Sequence, residues 1–247
     1  MKPIGIMGAM LEEIAHLKEA MSISQIHVKG GREYICGKLF GRDVVLVFSR
    51  WGKVASALTA TTLISTFNVD QIIFTGVAGG AAFHLNIGDV VIGKELYQHD
   101  MDASPLFEKF EIPFLSLKTF KADPDLLQHA EKGVLSFFTN QLPSSHLKEF
   151  SILSPKVHLG IIASGDRFIS GPSAMQNLTP ETLAVEMEGA SVAQVCHEHG
   201  VPFVIIRTIS DRADHKAPID FQKFVSRIAS LYSVGIVREM FQGPSLN

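Results

Sequence analysis

The 247-residue chain has only two cysteines, Cys36 and Cys196, far apart and outside any CxxC or Cys/His ligand spacing. A disulfide framework and a structural zinc site therefore find no support, and both residues are expected to be reduced core thiols. Long hydrophobic runs are also missing. No apolar stretch approaches the roughly 18 residues that span a bilayer. The start Met1-Lys2-Pro3-Ile4-Gly5 enters a strand-like run without the apolar region and cleavage site of a signal peptide. Nor is there an excess of positive charge: 22 Lys and Arg stand against 25 Asp and Glu, scattered along the chain, for a net charge of -3. A basic stripe that could neutralise a phosphate backbone is absent. The expectation is a cytoplasmic protein with no membrane or nucleic-acid partner and a neutral or compact ligand.

What is present is core-forming material: 46% of residues are hydrophobic, ample for a packed interior. Short β-branched runs alternate with helical patterns, which indicates an α/β fold with a mostly parallel sheet covered by helices. Strands are predicted at 3–7, 34–40, 43–48, 71–75, 89–93, 157–163, 183–187 and 203–209. Gly41-Arg42 reads as a hairpin turn, so the sheet is expected to be mixed. Helices are predicted at 11–21, 53–67, 124–139, 188–199 and 221–241. Residues 96–123, with Pro105, Pro113 and four phenylalanines, read as a long ordered loop serving either packing or contact. No internal repeat appears, and residues 1–247 are expected to form a single domain.

In α/β sheets, ligands gather at the carboxyl ends of strands, so polar residues just after each apolar run are the candidates. The first strand leads into Gly8-Ala9-Met10-Leu11-Glu12-Glu13, where two acids in a first helical turn could simply complement the helix dipole. Thr75-Gly76-Val77-Ala78-Gly79-Gly80 reads as a Gly-rich turn, structural or ligand-facing. It lacks the GxGxxG spacing of a dinucleotide site and the Lys-Ser/Thr of a P-loop. Ser164-Gly165-Asp166-Arg167-Phe168-Ile169 offers polar groups beside an aromatic face. Glu186 and Glu188 end a buried strand, where an unpaired charge would be costly. Arg207 could pair with Glu186, and Ser210-Asp211 close the last strand.

Three carboxyls around one pocket, Glu13, Glu188 and Asp211, suit departure of a base from a sugar. Positive charge builds on the ribose ring, the base gains a proton and water loses one. The same three acids could instead hold magnesium or calcium through oxygen ligands. Spacing alone leaves both options open.

Taken in order, the motifs GxxGAMxEE, TGxAGG, HDxD, ASGDxF, VEMEGAS and RxISDxAD resemble those of the 5′-methylthioadenosine/S-adenosylhomocysteine nucleosidases, members of the purine nucleoside and uridine phosphorylase superfamily. The match runs from Ile4 to about Met240. The resemblance implies a three-layer sandwich around a mixed, mostly parallel twisted sheet, with no cofactor and no metal. It implies hydrolysis of 5′-substituted adenine nucleosides (5′-methylthioadenosine, S-adenosylhomocysteine, 5′-deoxyadenosine) with release of adenine. Glu13 would activate water, and Asp211, assisted by Ser210, would protonate adenine at N7. Glu188, with Met187 beside it, would hold the ribose hydroxyls, and Arg207 would support the carboxylates. Phe168 would stack on adenine and the Ile169 backbone would read its edge, with Met10, Val77 and Phe221 completing the pocket.

The family resemblance also implies a homodimer, in which Ala103, Leu106 and Phe107 reach the partner's 5′-pocket. Val77 stands where many relatives have Ser, and Trp51 where many have a smaller aliphatic residue. With Gln98-His99-Asp100 and Ala163–Asp166, Val77 most resembles the members that also cleave 6-amino-6-deoxyfutalosine. The alternatives are a phosphorolytic purine nucleoside phosphorylase and a catalytically silent nucleoside-binding protein. A carboxylate at Glu13, where phosphate would sit, disfavours the first by charge repulsion.

Overall fold

The computed structural model describes residues 2–142, 150, 152, 154–214 and 217–242. Its strands are β1 (Ile4–Gly8), β2 (Ser22–Lys29), β3 (Arg32–Leu39), β4 (Arg42–Phe48), β5 (Gln71–Gly80), β6 (Val90–Gln98), β7 (Phe120–Lys121), β8 (Val157–Ser164), β9 (Thr182–Glu186) and β10 (Phe203–Asp211). Its helices are α1 (Leu11–Ala20), α2 (Lys53–Phe67), α3 (Pro124–Asn140), α4 (Pro172–Met175), α5 (Gly189–His199), α6 (Ala217–Phe224) and α7 (Ser230–Gln242). A five-residue π-helical stretch, Val225–Ala229, joins α6 to α7. None of the described helices is long and apolar enough to cross a membrane.

All ten strands belong to one mixed sheet. The continuous apolar runs in β1 and β10 are buried at every position, as expected of strands covered on both faces. Each of Phe203, Val204, Ile205, Ile206 and Ile209 in β10 contributes about 1.5–3 kcal/mol by burial before the entropy of ordering is counted. Two groups of helices flank the sheet, α1, α3 and α7 packing together and α2 packing on α5. Asp123 starts α3 by accepting the amides of Asp125 and Leu126 at 3.0 and 2.9 Å, with Pro124 in the first turn.

The predicted α/β architecture is therefore present, with differences that have local causes. Edge strand β2 is not visible in the sequence pattern because a register shift between Ile23 and Gln25 breaks its period of two, leaving Ile23, Ile26 and Val28 exposed. The turn between β3 and β4 is Phe40-Gly41, both at positive φ, one residue earlier than expected. The segment at 75–80 is not a turn but the end of β5. The expected long loop is shorter at both ends, since β6 runs to Gln98 and β7 pairs with it through Leu96 and Phe120. The helix expected at 221–241 begins earlier, at Ala217, and is divided by the π-helical stretch into α6 and α7. Cys36 and Cys196 are both free thiols.

Candidate active site

The cleft arises from the way β5 is shared. Along most of its length β5 runs parallel to β1 and β10, but its last residues pair antiparallel with β9, Gly79 opposite Val185 and Gly80 opposite Ala184. β8 runs parallel to β9. The carboxyl ends of β1, β5, β8, β9 and β10 consequently converge on one cavity of about 560 Å³ of atom-free space, part of it open to solvent. Its walls include Glu13, Glu188 and Asp211.

Glu13 lies in the first turn of α1, where the dipole explanation would leave its side chain facing water. Instead it is buried and turned inward. Oε2 accepts the amides of Ala9 and Met10 at 2.6 and 3.0 Å, and Oε1 accepts the amide of Val77 in β5 at 3.0 Å. The carboxylate thus ties the start of α1 to β5 while one edge faces the cavity. A Cβ at Gly76 would stand 2.6 Å from Glu13 Oε1, so this glycine makes room for the acid and not for the backbone turn that the sequence suggests. Burial raises the Glu13 carboxyl above its ordinary value, opposed by the charge of Arg207 and by the three amide donors.

Glu186 and Glu188 have different tasks because β9 ends at Glu186, and the chain has already turned into α5 at its cap, Glu188. Glu186 Oε2 meets Arg207 Nη2 at 2.7 Å and Nε at 3.2 Å. Its two oxygens also accept the amide of Gly189 and the Ser164 hydroxyl, so it closes the first turn of α5. Arg207 lies against the Phe74 ring, 4.1 Å from its centroid, and is 1% exposed. Glu188 is the cap residue of α5 and takes the Gly52 amide on Oε1 at 2.8 Å. Burial first, and then the neighbouring Glu186 charge, push its carboxyl up from 4.5 to about 8, against the attraction of Arg207 and the Gly52 amide.

Asp211 ends β10 just past a register shift that separates it from Ile209. Oδ1 accepts the Ala213 amide at 2.8 Å, and the Ser210 hydroxyl donates to Oδ2 at 2.8 Å. A Cβ at Gly79 would sit 3.0 Å from Asp211 Oδ1, so the second glycine of the motif makes room for the second acid. Burial raises this carboxyl too, opposed by the Ala213 amide and the Ser210 hydroxyl. A carboxyl that holds its proton more tightly than an ordinary aspartate is better suited to give it to a leaving group. Among the described residues no three His, Cys, Asp or Glu side chains are grouped to hold a metal ion.

Met10, Val77, Phe168, Ile169, Met187 and Phe221 line the same cavity, as expected from the sequence. Phe168 is 41% exposed at the mouth and meets Phe221 edge to face, with ring centroids 5.5 Å apart. Arg207 and Ser210, grouped with the substrate site in the sequence as supports for its carboxyls, do not themselves line the cavity. Arg207 is turned to Glu186 and the carbonyls of Phe74 and Ile206, and Ser210 to Asp211 and the Ala78 carbonyl, so both act from behind the wall. Ala103, Leu106 and Phe107 do not line this chain's own cavity either. Ala9, Ala78, Gly79, Arg167, Val185, Glu186 and Trp51 line it as well, most of them neighbours of the expected residues within the same motifs. Trp51 stands edge-on to Phe221, centroids 6.2 Å apart, where an adjoining groove opens between α1 and α6.

This geometry can be set beside known proteins. The phosphorylase superfamily model matches residues 3–242. A 5′-methylthioadenosine/S-adenosylhomocysteine nucleosidase of Shewanella halifaxensis is 39% identical over 227 residues, 90% of this chain and 91% of the relative. The chain belongs to this nucleosidase family. Among solved structures, the nucleosidase of Neisseria meningitidis in complex with methylthio-immucillin-A superposes with a TM-score of 0.85 at 35% identity, covering 97% of this chain and 98% of that one. The futalosine hydrolase of Helicobacter pylori superposes with a TM-score of 0.82 at 33% identity, covering 97% of both chains. The nucleosidase family thus accounts for the mixed sheet, the flanking helices and the ordered motifs together.

Proposed function

We propose that the chain hydrolyses the N-glycosidic bond of 5′-substituted adenine nucleosides and releases adenine. The observation that carries this reading is the placement of Glu13, Glu188 and Asp211, separately held and buried, on one cavity. In the proposed reaction Asp211 gives its proton to N7 as the C1′–N9 bond breaks and its electron pair passes to the base. Glu13 takes a proton from the water whose oxygen bonds to C1′. Glu188 holds the ribose hydroxyls, and the ionised Glu13 favours the positive charge developing on the ring. Phe168 stacks on adenine, the Ile169 backbone reads its edge, and Met10, Met187 and Phe221 enclose the sugar and the 5′-group.

The substrate range follows from the open side of the cavity. The groove lined by Met10, Leu11, Phe48, Trp51, Phe221 and Val225, together with Glu12, Gln222 and Ser226, gives a bulky 5′-substituent a largely apolar path outward. 5′-Methylthioadenosine, S-adenosylhomocysteine, 5′-deoxyadenosine and 6-amino-6-deoxyfutalosine all fit this reading. Adenine release measured on the first, second and fourth, with and without phosphate, tests it. Phosphate-independent release supports hydrolysis, and formation of ribose 1-phosphate derivatives would replace it with phosphorolysis. Negligible turnover of aminodeoxyfutalosine would remove that substrate alone.

The working form is proposed to be a cytoplasmic homodimer of single-domain chains. Leu106, 84% exposed, and Phe114, 93% exposed, support an apolar contact surface on the loop that also carries Ala103 and Phe107. Equilibrium sedimentation of wild type and Leu106→Asp distinguishes a dimer closed by this loop from a monomer.

A further inference from the structure

Three pieces of the sequence play no part in the chemistry above: Gly52-Lys53, His99-Asp100 and Gly165-Asp166. The fold brings them together. Asp100 uses both oxygens, Oδ1 accepting the Lys53 ammonium at 2.6 Å and Oδ2 accepting the Asp166 amide at 2.9 Å. Asp166 Oδ1 in turn accepts the Lys53 amide at 2.8 Å. The Lys53 ammonium also donates to Gln98 Oε1 at 3.1 Å. Lys53 is therefore gripped at its main chain by the loop after β8 and at its side-chain end by the loop after β6. One residue earlier, the Gly52 amide makes the only hydrogen bond to the Glu188 carboxylate among the described residues.

The packing around this ring is close. Gly52 has a φ of +91°, and a Cβ there would stand 2.9 Å from Asp166 Oδ1. A Cβ on Gly165 would come within 2.4 Å of His99 Nε2 and 3.0 Å of Asp100 Cγ. The Lys53 and Asp100 side chains are 17% and 25% exposed, well below the freely solvated ion pairs that contribute almost nothing. The arrangement fixes a backbone donor rather than merely joining two charges.

We propose that Lys53, Asp100 and Asp166 form a latch that holds the Gly52 amide on Glu188, with Lys53 as its positioning residue. With Oε1 anchored, the carboxyl plane is set and Oε2 is left to hydrogen-bond a ribose hydroxyl. Once the loop is released, Glu188 loses its anchor and the sugar its oriented partner. This rests on the reading of Glu188 as the group that holds the ribose.

The test is kinetic. kcat and KM are measured for wild type, Lys53→Met, Lys53→Arg and Asp166→Ala, using 5′-methylthioadenosine and its 2′-deoxy and 3′-deoxy counterparts. Lys53→Met is expected to lose about 10- to 30-fold in kcat/KM on the ribonucleoside, chiefly through KM, as befits a mispositioned hydrogen bond. With the deoxy substrate that lacks the hydroxyl held by Glu188, the loss shrinks below about threefold. Lys53→Arg, which still reaches Asp100, stays within about threefold of wild type throughout. Asp166→Ala, which frees the Lys53 amide, repeats the Lys53→Met pattern and serves as the second variant if one does not fold. Equal losses on all three substrates, or no loss on any, would overturn the latch with the hydrolytic activity still standing. A wild-type protein inert toward the ribonucleoside would overturn the reading of the site and the latch with it.

Discussion

Replacing Glu188 by Gln should make the protein more stable and less active, in a way that depends on pH. A carboxyl raised from 4.5 to about 8 in the folded state carries a penalty of about 5 kcal/mol once fully ionised, at about 1.4 kcal/mol for each pH unit. Below pH 4.5 both folded and unfolded chains hold the proton, and Glu188 costs nothing. Between 4.5 and about 8 the unfolded chain has lost the proton while the folded one keeps it, so stability falls as pH rises. Above about 8 the penalty is constant. Gln carries no charge but is still a buried amide, and its weaker hydrogen bond to the Gly52 amide offsets part of the gain. The expected net gain is about 2–3 kcal/mol at pH 8.5 and near zero at pH 4.5. Urea midpoints of wild type and variant across that range measure it, with kcat/KM falling about 10- to 100-fold on the same protein. A stability difference that does not change with pH, or a wild type more stable than the variant at pH 8.5, would refute the reasoning.

Asp211→Asn removes the proton donor while keeping an acceptor for the Ala213 amide, so kcat should fall by about 10³-fold or more with little change in KM, read by steady-state adenine release. Because burial raises Asp211, the wild-type rate should decline on the alkaline side as this acid loses its proton, and the variant's residual rate should lack that limb. Glu13→Gln should lower kcat by about 10²- to 10⁴-fold while calorimetric affinity for a substrate analogue is retained, since the amide oxygen still accepts the Ala9 and Met10 amides. Gly76→Ala places a methyl group against the Glu13 carboxylate and should depress kcat by at least tenfold in a protein that remains folded by circular dichroism; unchanged kcat would show that the acid tolerates displacement.

Much of the site was legible because each acid lies next to an apolar run that ends in a glycine or hydroxyl residue. Glu188 and Asp211 follow strands too apolar to be anything but buried, and Glu13 follows the first of them. Gly76 and Gly79 were visible but misread. A turn and a strand that must leave space for two carboxylates both call for glycine, and only the positions of Glu13 and Asp211 distinguish them. The role of Arg207 was half visible: its pairing with Glu186 follows from charge, but its withdrawal from the cavity depends on the Phe74 ring and carbonyl that receive it. Edge strand β2 escaped because a bulge erases the alternation by which half-buried strands are recognised.

The sequence by itself determined the apolar strands, the helix starts and the residue types able to move protons, since these depend on local periodicity and side-chain chemistry. Tertiary structure decided which of those residues meet. The strands β8 and β9 run opposite to β1, β5 and β10, so no open parallel sheet would bring all five carboxyl ends together. They meet because β5 is long enough to pair with β10 along its body and with β9 at Gly79-Gly80. That pairing spans more than a hundred residues of sequence, and its register is fixed by burial on both faces, which no local pattern encodes.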